Sequence, residues 1–170
     1  MKIGYVEPSN KRWVDMGRKP PLWLRMFHPT WPAVLSALAP GHEGEFISHQ
    51  RTKITEKKLS RFDLVAVSSL TPSAPDAYDI GDMCRAAGIP CVIGGYHPYL
   101  FPGEAKRHFD SVVFGEAETI WPEVLKDAER GTLKPFYNGG LCRPEDMVVP
   151  DFSVFKGWSL VRRPLEFSRG

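Results

Sequence analysis

The chain has 170 residues, of which 42% are hydrophobic, and its 22 basic and 20 acidic side chains leave a net charge of +2. This composition is sufficient for a folded core and excludes disordered and collagen-like chains. The balanced charge gives no reason to expect a nucleic acid or a membrane surface as a partner. The three cysteines are odd in number and form no C-x-x-C pair, so neither a disulfide framework nor a metal site is expected.

Two uncharged stretches approach the length needed to cross a membrane, residues 26–42 and 86–103. Both are interrupted by prolines, and the second also contains internal glycines, so neither could run as one spanning helix with its backbone hydrogen bonds satisfied. The sequence therefore predicts a soluble and cytoplasmic protein.

Short apolar runs predict the strands. The strongest is a continuous run of the kind that is buried on both faces of a sheet, and the first run of the chain is stopped by a proline. In chain order the predicted strands are Lys2–Val6, Glu45–His49 at a sheet edge, Leu64–Leu70, Pro90–Ile93 and Ser111–Phe114.

Apolar side chains at helical spacing predict helices between these strands. One helix begins after Thr30 and ends at Pro40, a second covers Ala74–Ala87 and ends at Gly88, and a third covers Ile120–Ala128. Strands that alternate with helices predict an α/β fold with a doubly wound, mostly parallel sheet. We expect five strands in the flavodoxin-like, Rossmann-like order.

In such sheets, ligands bind beyond the carboxyl ends of the strands. The loop after the first strand, Glu7–Pro21, holds a single glycine and therefore lacks the G-x-G-x-x-G of a dinucleotide site. The same loop lacks the hydroxyl-rich phosphate loop of a flavodoxin. The central strand ends in Ser68 and Ser69, where a phospho-receiver domain needs an aspartate. The sequence disfavours all three of these sites.

Small and hydroxylated residues remain at the ends of two neighbouring strands, Ser68–Thr71 and Gly94-Gly95. Such residues allow a bulky ligand to lie against the sheet, and the hydroxyl groups can bind a ligand tail that enters between the strands. Ordinary turn chemistry is the alternative explanation. The sequence indicates no residue as a catalytic acid, base or nucleophile.

Several motifs, in their order along the chain, resemble the cobalamin-binding-like domain that precedes the barrel in a class of radical S-adenosylmethionine (radical SAM) enzymes. They are Phe62–Leu70, Ala74–Ala87, Gly88–Pro98 (GIPCVIGGYHP), Asp110–Glu118 (DSVVFGEAE), Trp121–Glu123 and Leu133–Tyr137. The resemblance covers residues 1–140 and continues into the linker through Phe152.

The resemblance implies cobalamin as the cofactor and indicates where it binds. The run Ser68–Leu70 matches an S-x-L motif that contacts the nucleotide tail, and Gly94-Gly95 matches a glycine pair that makes room for that tail. A leucine at Gly95 is therefore expected to block the tail while leaving the fold intact. The cofactor-binding residues predicted in this way are Ser68, Ser69, Leu70, Thr71, Gly94, Gly95, Gly115 and Glu116.

The chain departs from the wider family at the D-x-H-x-x-G loop, which supplies an axial histidine in other cobalamin proteins. The corresponding loop, Glu7–Pro21, contains no histidine. The resemblance therefore implies that bound cobalamin is base-off and has no histidine ligand from the protein.

The last residues, Leu165–Gly170, resemble the first strand of a radical SAM barrel, after which the C-x3-C-x2-C motif normally holds a [4Fe–4S] cluster. The resemblance thus implies a cobalamin-binding-like domain over residues 1–140, with residues 141–170 as linker and start of a missing barrel. The full-length enzyme would use the cluster and S-adenosylmethionine for methylation or radical rearrangement. The fragment itself would be non-catalytic.

The partner implied by the resemblance is the chain's own barrel. The alternative is a scaffold domain that packs against that barrel without binding cobalamin. The predicted strand within Trp158–Gly170 would carry an unpaired edge, so the segment from Val149 onward is expected to be mobile, to fold back on the domain, or to mediate self-association.

Overall fold

The computed structural model describes residues 1–10 and 29–156, and within them the chain forms one parallel sheet. The sheet has six strands in the order β2-β1-β3-β4-β5-β6, and every neighbouring pair is parallel. The strands are β1 (Lys2–Glu7), β2 (Glu43–Ser48), β3 (Leu64–Ser68), β4 (Cys91–Gly94), β5 (Ser111–Phe114) and β6 (Phe136–Asn138). The predicted flavodoxin-like α/β fold is confirmed, with six strands instead of five.

The sheet is covered by helices on both faces, as a doubly wound fold requires. The helices are α1 (Trp31–Ala37), α2 (Glu56–Leu59), α3 (Ala74–Ala86), α4 (Tyr96–Leu100), α5 (Pro102–Ala105) and α6 (Trp121–Glu129). None of the helices in the described residues is long and apolar enough to cross a lipid bilayer.

Alternation along the buried strands divides the core into two layers. In β3, Val65 and Val67 pack in the layer that contains α3, whereas Leu64 and Ala66 pack in the layer that contains α1 and α6. Because all four of these residues are at least 97% buried, the continuous apolar run is explained by cover on both faces.

The sixth strand, β6, was not predicted. It has only three residues, of which Phe136 and Asn138 are exposed and Tyr137 is buried. Such a short edge strand leaves no periodic signal in the sequence. The connection between β4 and β5 also differs from the prediction, which placed no helix there, because it contains α4 and α5 in spite of Pro98.

Residues beyond the predicted domain boundary pack against the fold. Val154 and Phe155 are 1% and 8% exposed, and the Phe155 ring centroid lies 5.0 Å from that of Phe46. The amide of Asp151 donates to the carbonyl of Ala33 at 2.9 Å. The predicted strand at Trp158–Ser168 lies outside the described residues, and the boundary near residue 140 stays a prediction.

Candidate cofactor-binding site

The strand order reverses between β1 and β3, and in sheets of this type the ligand crevice opens at such a point, beyond the carboxyl ends of the strands. A groove of about 330 Å³ lies at this edge, on the α1 and α6 face of the sheet. Its helical walls include Trp31 and Leu35 of α1 and Trp121 of α6, and its sheet wall is formed by β3, β4 and β5.

Small residues lie where β3 and β4 enter the groove. Ser68 and Gly94 are partners in the parallel register and share the face on which Ala66 and Val92 form the layer below. A Cβ atom added at Gly94 would lie 3.5 Å from the carbonyl oxygen of Val113, which is ordinary contact. A side chain at position 94 would therefore fit locally and would extend into the groove.

Gly95 lines the same groove but differs from Gly94 in its backbone. Its φ is +97°, and an added Cβ would lie 2.8 Å from the carbonyl oxygen of Ser69. Glycine at this position is required by the turn itself. The expectation that leucine at Gly95 would leave the fold intact is therefore wrong, and Gly94 is the position from which a side chain would block the groove.

The structure brings most of the predicted cofactor-binding residues together at the groove, namely Ser68, Gly94, Gly95, Gly115 and Glu116. The others do not line it. Ser69 is buried and its hydroxyl donates to the carbonyl of Leu70 at 3.0 Å. The Leu70 side chain is 61% exposed, and Thr71 begins a 3-10 turn that leads into α3. Their contribution to binding stays a prediction.

His97 follows the glycine pair and holds the turn after β4 in place. The side chain is 5% exposed, and a hydrogen bond of 2.7 Å joins its Nε2 to the hydroxyl of Tyr78 in α3. Its ring also packs against Phe101, with 5.1 Å between the ring centroids. Burial, followed by the nearby carboxylate of Glu104, raises the pKa of Tyr78 to about 12, so this hydroxyl stays protonated at neutral pH.

Trp121 and Glu118 are among the wall residues that were not predicted as site residues. Trp121 is 1% exposed and sits at the start of α6, where the sequence shows only helical periodicity. Glu118 is 8% exposed. One carboxylate oxygen of Glu118, one of Glu116 and the Sγ atom of Cys142 all lie within 4.8 Å of one another. The linker residue Cys142 therefore reaches the β5–β6 side of the groove mouth, which its sequence position did not indicate.

The sequence groups Trp13, Trp23, Phe27 and Trp31 in and after the first loop, where their expected role is to cover a ligand, to close on a partner domain or to fill the core edge. Of these residues, Trp31 does line the groove. It also packs edge-on against Tyr5, with ring centroids 6.1 Å apart, and against Phe46 at 6.4 Å. The other aromatic residues of that prediction, Trp13, Trp23 and Phe27, lie outside the described residues.

A buried polar cluster lies at the ends of β1 and β2. Asp76, which is 5% exposed, accepts the amide of Ser9 at 2.6 Å and lies 2.8 Å from Nδ1 of His49. Three elements therefore meet at one carboxylate: the loop after β1, the end of β2 and the first turn of α3. The ring of His49 is held in place by this contact with Asp76.

Glu7 ends β1 and gives the fold a pH dependence that can be measured. Burial raises the pKa of its carboxyl above the usual value, opposed by the hydroxyl of Ser48, which donates to Oε2 at 2.7 Å, and by the charge of Arg51. Because the folded chain retains this proton more firmly than the unfolded chain, the contribution of Glu7 to stability falls as the pH rises above about 4.5.

We therefore expect Glu7→Gln to stabilise the fold at pH 7–8 and to have little effect near pH 4, where the carboxyl is protonated in both states. Glutamine keeps the oxygen that accepts from Ser48 and removes the buried charge. Urea unfolding at several pH values measures the difference, with Glu56→Gln on the exposed surface as the control. A Glu7→Gln effect that is the same at pH 4 and pH 8 would contradict this reading.

Comparison with known proteins agrees with this geometry. The sequence model of the B12 binding domain matches residues 33–125. The chain is 38% identical over 109 residues to a bacteriochlorophyllide d C-12(1)-methyltransferase of Chlorobaculum tepidum, a match that covers 64% of this chain and 24% of the relative. It is 32% identical over 137 residues to the C-8(2)-methyltransferase of the same organism, covering 80% of this chain and 29% of the relative.

The chain thus spans about a quarter of the length of each of these relatives. No solved structure matches it significantly. The family match covers more than half of the chain, from α1 through most of α6, and includes Ser68, Gly94 and the sheet between them. The chain belongs to the B12-binding domain family.

Proposed function

We propose that the chain binds cobalamin, with the nucleotide tail of the cofactor in the groove between the sheet and α1 and α6. The observation that carries this proposal is the opening between Ser68 and Gly94, where a glycine leaves space that any side chain would fill. Ser68 can donate a hydrogen bond to the tail at this opening. Apolar residues below it, including Val92 and Val113, can receive the base at the end of the tail.

Within this proposal the cofactor is base-off and receives no histidine ligand from the protein. In the described residues His97 is engaged with Tyr78 inside the fold, and His49 is engaged with Asp76. The loop Glu7–Pro21 contains no histidine. Cobalamin bound in this way would supply a cobalt centre that carries methyl groups, and the part of this chain is to hold and orient it.

We further propose that the chain is the cofactor-binding part of a radical SAM methyltransferase and presents cobalamin to a separate iron–sulfur barrel. The names of the two relatives support methyl transfer as the reaction and a bacteriochlorophyllide-type tetrapyrrole as the class of substrate. A [4Fe–4S] cluster and S-adenosylmethionine would then belong to the barrel.

Exposed apolar side chains at the edge of the sheet where the cofactor would lie support the proposal that another domain covers this edge. Leu70, Tyr96, Tyr99 and Leu141 are each more than half exposed, and Tyr96, Tyr99 and Leu141 line a second groove that adjoins the first at Gly95. Large apolar side chains grouped in this way are typical of a surface that contacts a ligand or another domain.

The proposal is tested by adding hydroxocobalamin to the purified chain and removing unbound cofactor by gel filtration. We expect about one cobalamin retained per chain. After reduction to the cobalt(II) state, we expect an electron paramagnetic resonance spectrum without nitrogen splitting, because neither the base nor a histidine would bind the metal.

Loss of all cobalamin from a folded chain would contradict the proposal and favour the scaffold alternative. Nitrogen splitting in the spectrum would retain cobalamin binding and overturn the base-off, histidine-free mode. Free cobalamin(II), in which the base is bound to cobalt, is the reference sample for that splitting.

A further inference from the structure

The deep part of the groove is apolar, whereas its polar residues lie at the mouth. On this basis we propose that the chain selects cobalamin that carries dimethylbenzimidazole as its lower base over the analogue that carries adenine. This inference rests on the proposed function and adds to it the chemical class of the base.

The sheet wall below the mouth is built from three neighbouring strands. Ala66 of β3, Val92 of β4 and Val113 of β5 lie on one face, and each is at least 93% buried. All three residues are paired in the parallel ladder, in which carbonyl groups accept from neighbouring strands. This wall therefore offers methyl groups to a ligand and few free hydrogen-bond acceptors.

The opposite wall has the same character. Val34 and Leu35 of α1 face the groove and are 6% and 8% exposed. With the sheet wall they form a slot between two apolar surfaces. A flat aromatic base that carries two methyl groups would gain contact on both of its faces in such a slot.

The topology confines the polar lining residues to the mouth. Thr30 precedes α1, Ser68 is the last residue of β3, and Glu116 and Glu118 lie in the connection between β5 and α6. All of these positions follow the carboxyl ends of strands or begin the helices that return from them. Ribose and phosphate groups of a tail would pass between these residues before its base reached the slot.

The helical wall carries two polar side-chain atoms, the indole Nε1 atoms of Trp31 and Trp121, and that of Trp121 is buried and makes no hydrogen bond of good geometry within the described residues. An indole nitrogen donates and does not accept. It can therefore suit a ring nitrogen, which both bases possess, but not the exocyclic amine that only adenine possesses. The Ser111 hydroxyl lies nearer the amino end of β5 and does not line the groove.

An amine buried in the slot without an acceptor loses its hydrogen bonds to water and gains none from the protein. The methyl groups of dimethylbenzimidazole lose nothing of this kind and add apolar contact. Discrimination between such groups in apolar pockets is about ten- to a hundredfold. We expect the chain to prefer cobalamin over its adenine analogue by at least about tenfold.

The test is a spectroscopic titration of the intact chain with three corrinoids: cobalamin, its adenine-containing analogue, and cobinamide, which has no base. Cobalamin should bind most tightly, and cobinamide should bind more weakly because it leaves the slot empty. Equal affinity for cobalamin and the adenine analogue would overturn the inference, as would cobinamide binding as tightly as cobalamin. Failure to bind any of the three would instead contradict the proposed function.

Variants locate the selection in the slot. Val113→Thr places a hydroxyl group in the sheet wall and should bring the affinity ratio of the two complete corrinoids close to one. Val112→Thr is the matched control, since it makes the same change at the neighbouring residue on the opposite face of β5. Ala66→Ser provides a second, smaller change in the slot if Val113→Thr fails to fold. A ratio that persists in a folded slot variant would overturn the inference.

Discussion

Gly94→Leu is expected to lower the affinity of the chain for cobalamin by about a hundredfold or more, the scale on which a pocket rejects a group that does not fit. The side chain would rise from the sheet into the groove beside Ser68, where the tail is proposed to enter. Stability should change by no more than about 1 kcal/mol, because the added Cβ makes only ordinary contact with Val113. Equilibrium titration with hydroxocobalamin and urea unfolding of the same preparation measure the two effects.

Two further variants distinguish a side chain that blocks the groove from one that destabilises the fold. Gly103→Leu makes the same substitution in α5, where an added Cβ meets nothing within 4 Å, and should leave the affinity unchanged. Gly95→Leu should destabilise the chain, because the positive φ and the carbonyl of Ser69 both oppose a side chain there. A folded Gly94→Leu variant that binds cobalamin as tightly as the unchanged chain would refute the proposed position of the tail.

Gly94 and Gly95 are neighbours in the sequence, but they have different structural roles that the sequence does not distinguish. A glycine pair after a buried strand predicts a close approach to a ligand. The amino-acid sequence does not show which glycine leaves room for the ligand and which one adopts the positive φ that the turn requires. That distinction depends on φ and on the position of the Ser69 carbonyl across the turn. Only the assembled backbone supplies either quantity.

The central strands could be predicted because a strand that is buried on both faces has a continuous run of apolar residues in the sequence. The residues of β3 are apolar in sequence because each side chain, whichever face it points to, meets another layer of the core. The same reasoning located the carboxyl ends of β3 and β4, and therefore Ser68 and Gly94 at the groove. Parallel connectivity then brings these distant residues into register.

The walls of the groove carry no comparable local signal. Trp121 reads as an apolar residue of an amphipathic helix, and its approach to Tyr5, with ring centroids 6.3 Å apart, follows from packing of α6 on the sheet. The arrival of Cys142 beside Glu116 depends on β6, an edge strand too short to be recognised. These contacts join residues far apart in sequence, and no periodicity in either segment encodes them.

Removing the segment that follows residue 150 is expected to lower the free energy of unfolding by about 3–6 kcal/mol when chains ending at residues 150 and 156 are compared. Val154 and Phe155 are almost completely buried, and burial of each side chain contributes about 1.5–3 kcal/mol. The hydroxyl of Ser36 in α1 also donates to Asp151 at 3.0 Å and would lose that partner. Since domains of this size have a net stability of about 5–15 kcal/mol, the loss is a large part of the whole.

The point variant Phe155→Ala tests the same contact without shortening the chain. It should cost about 3–5 kcal/mol because it leaves a cavity against Phe46, whose ring centroid is 5.0 Å away. Val149→Ala, at a side chain that is 89% exposed, should change stability by less than about 0.5 kcal/mol. Urea unfolding of the two shortened chains, the two point variants and the unchanged chain measures these differences. If the chain ending at residue 150 were as stable as the one ending at residue 156, the domain would end near residue 140, as the sequence predicts. A loss of unfolding free energy of the expected size would place residues 151–155 within the domain that carries α1 and the groove.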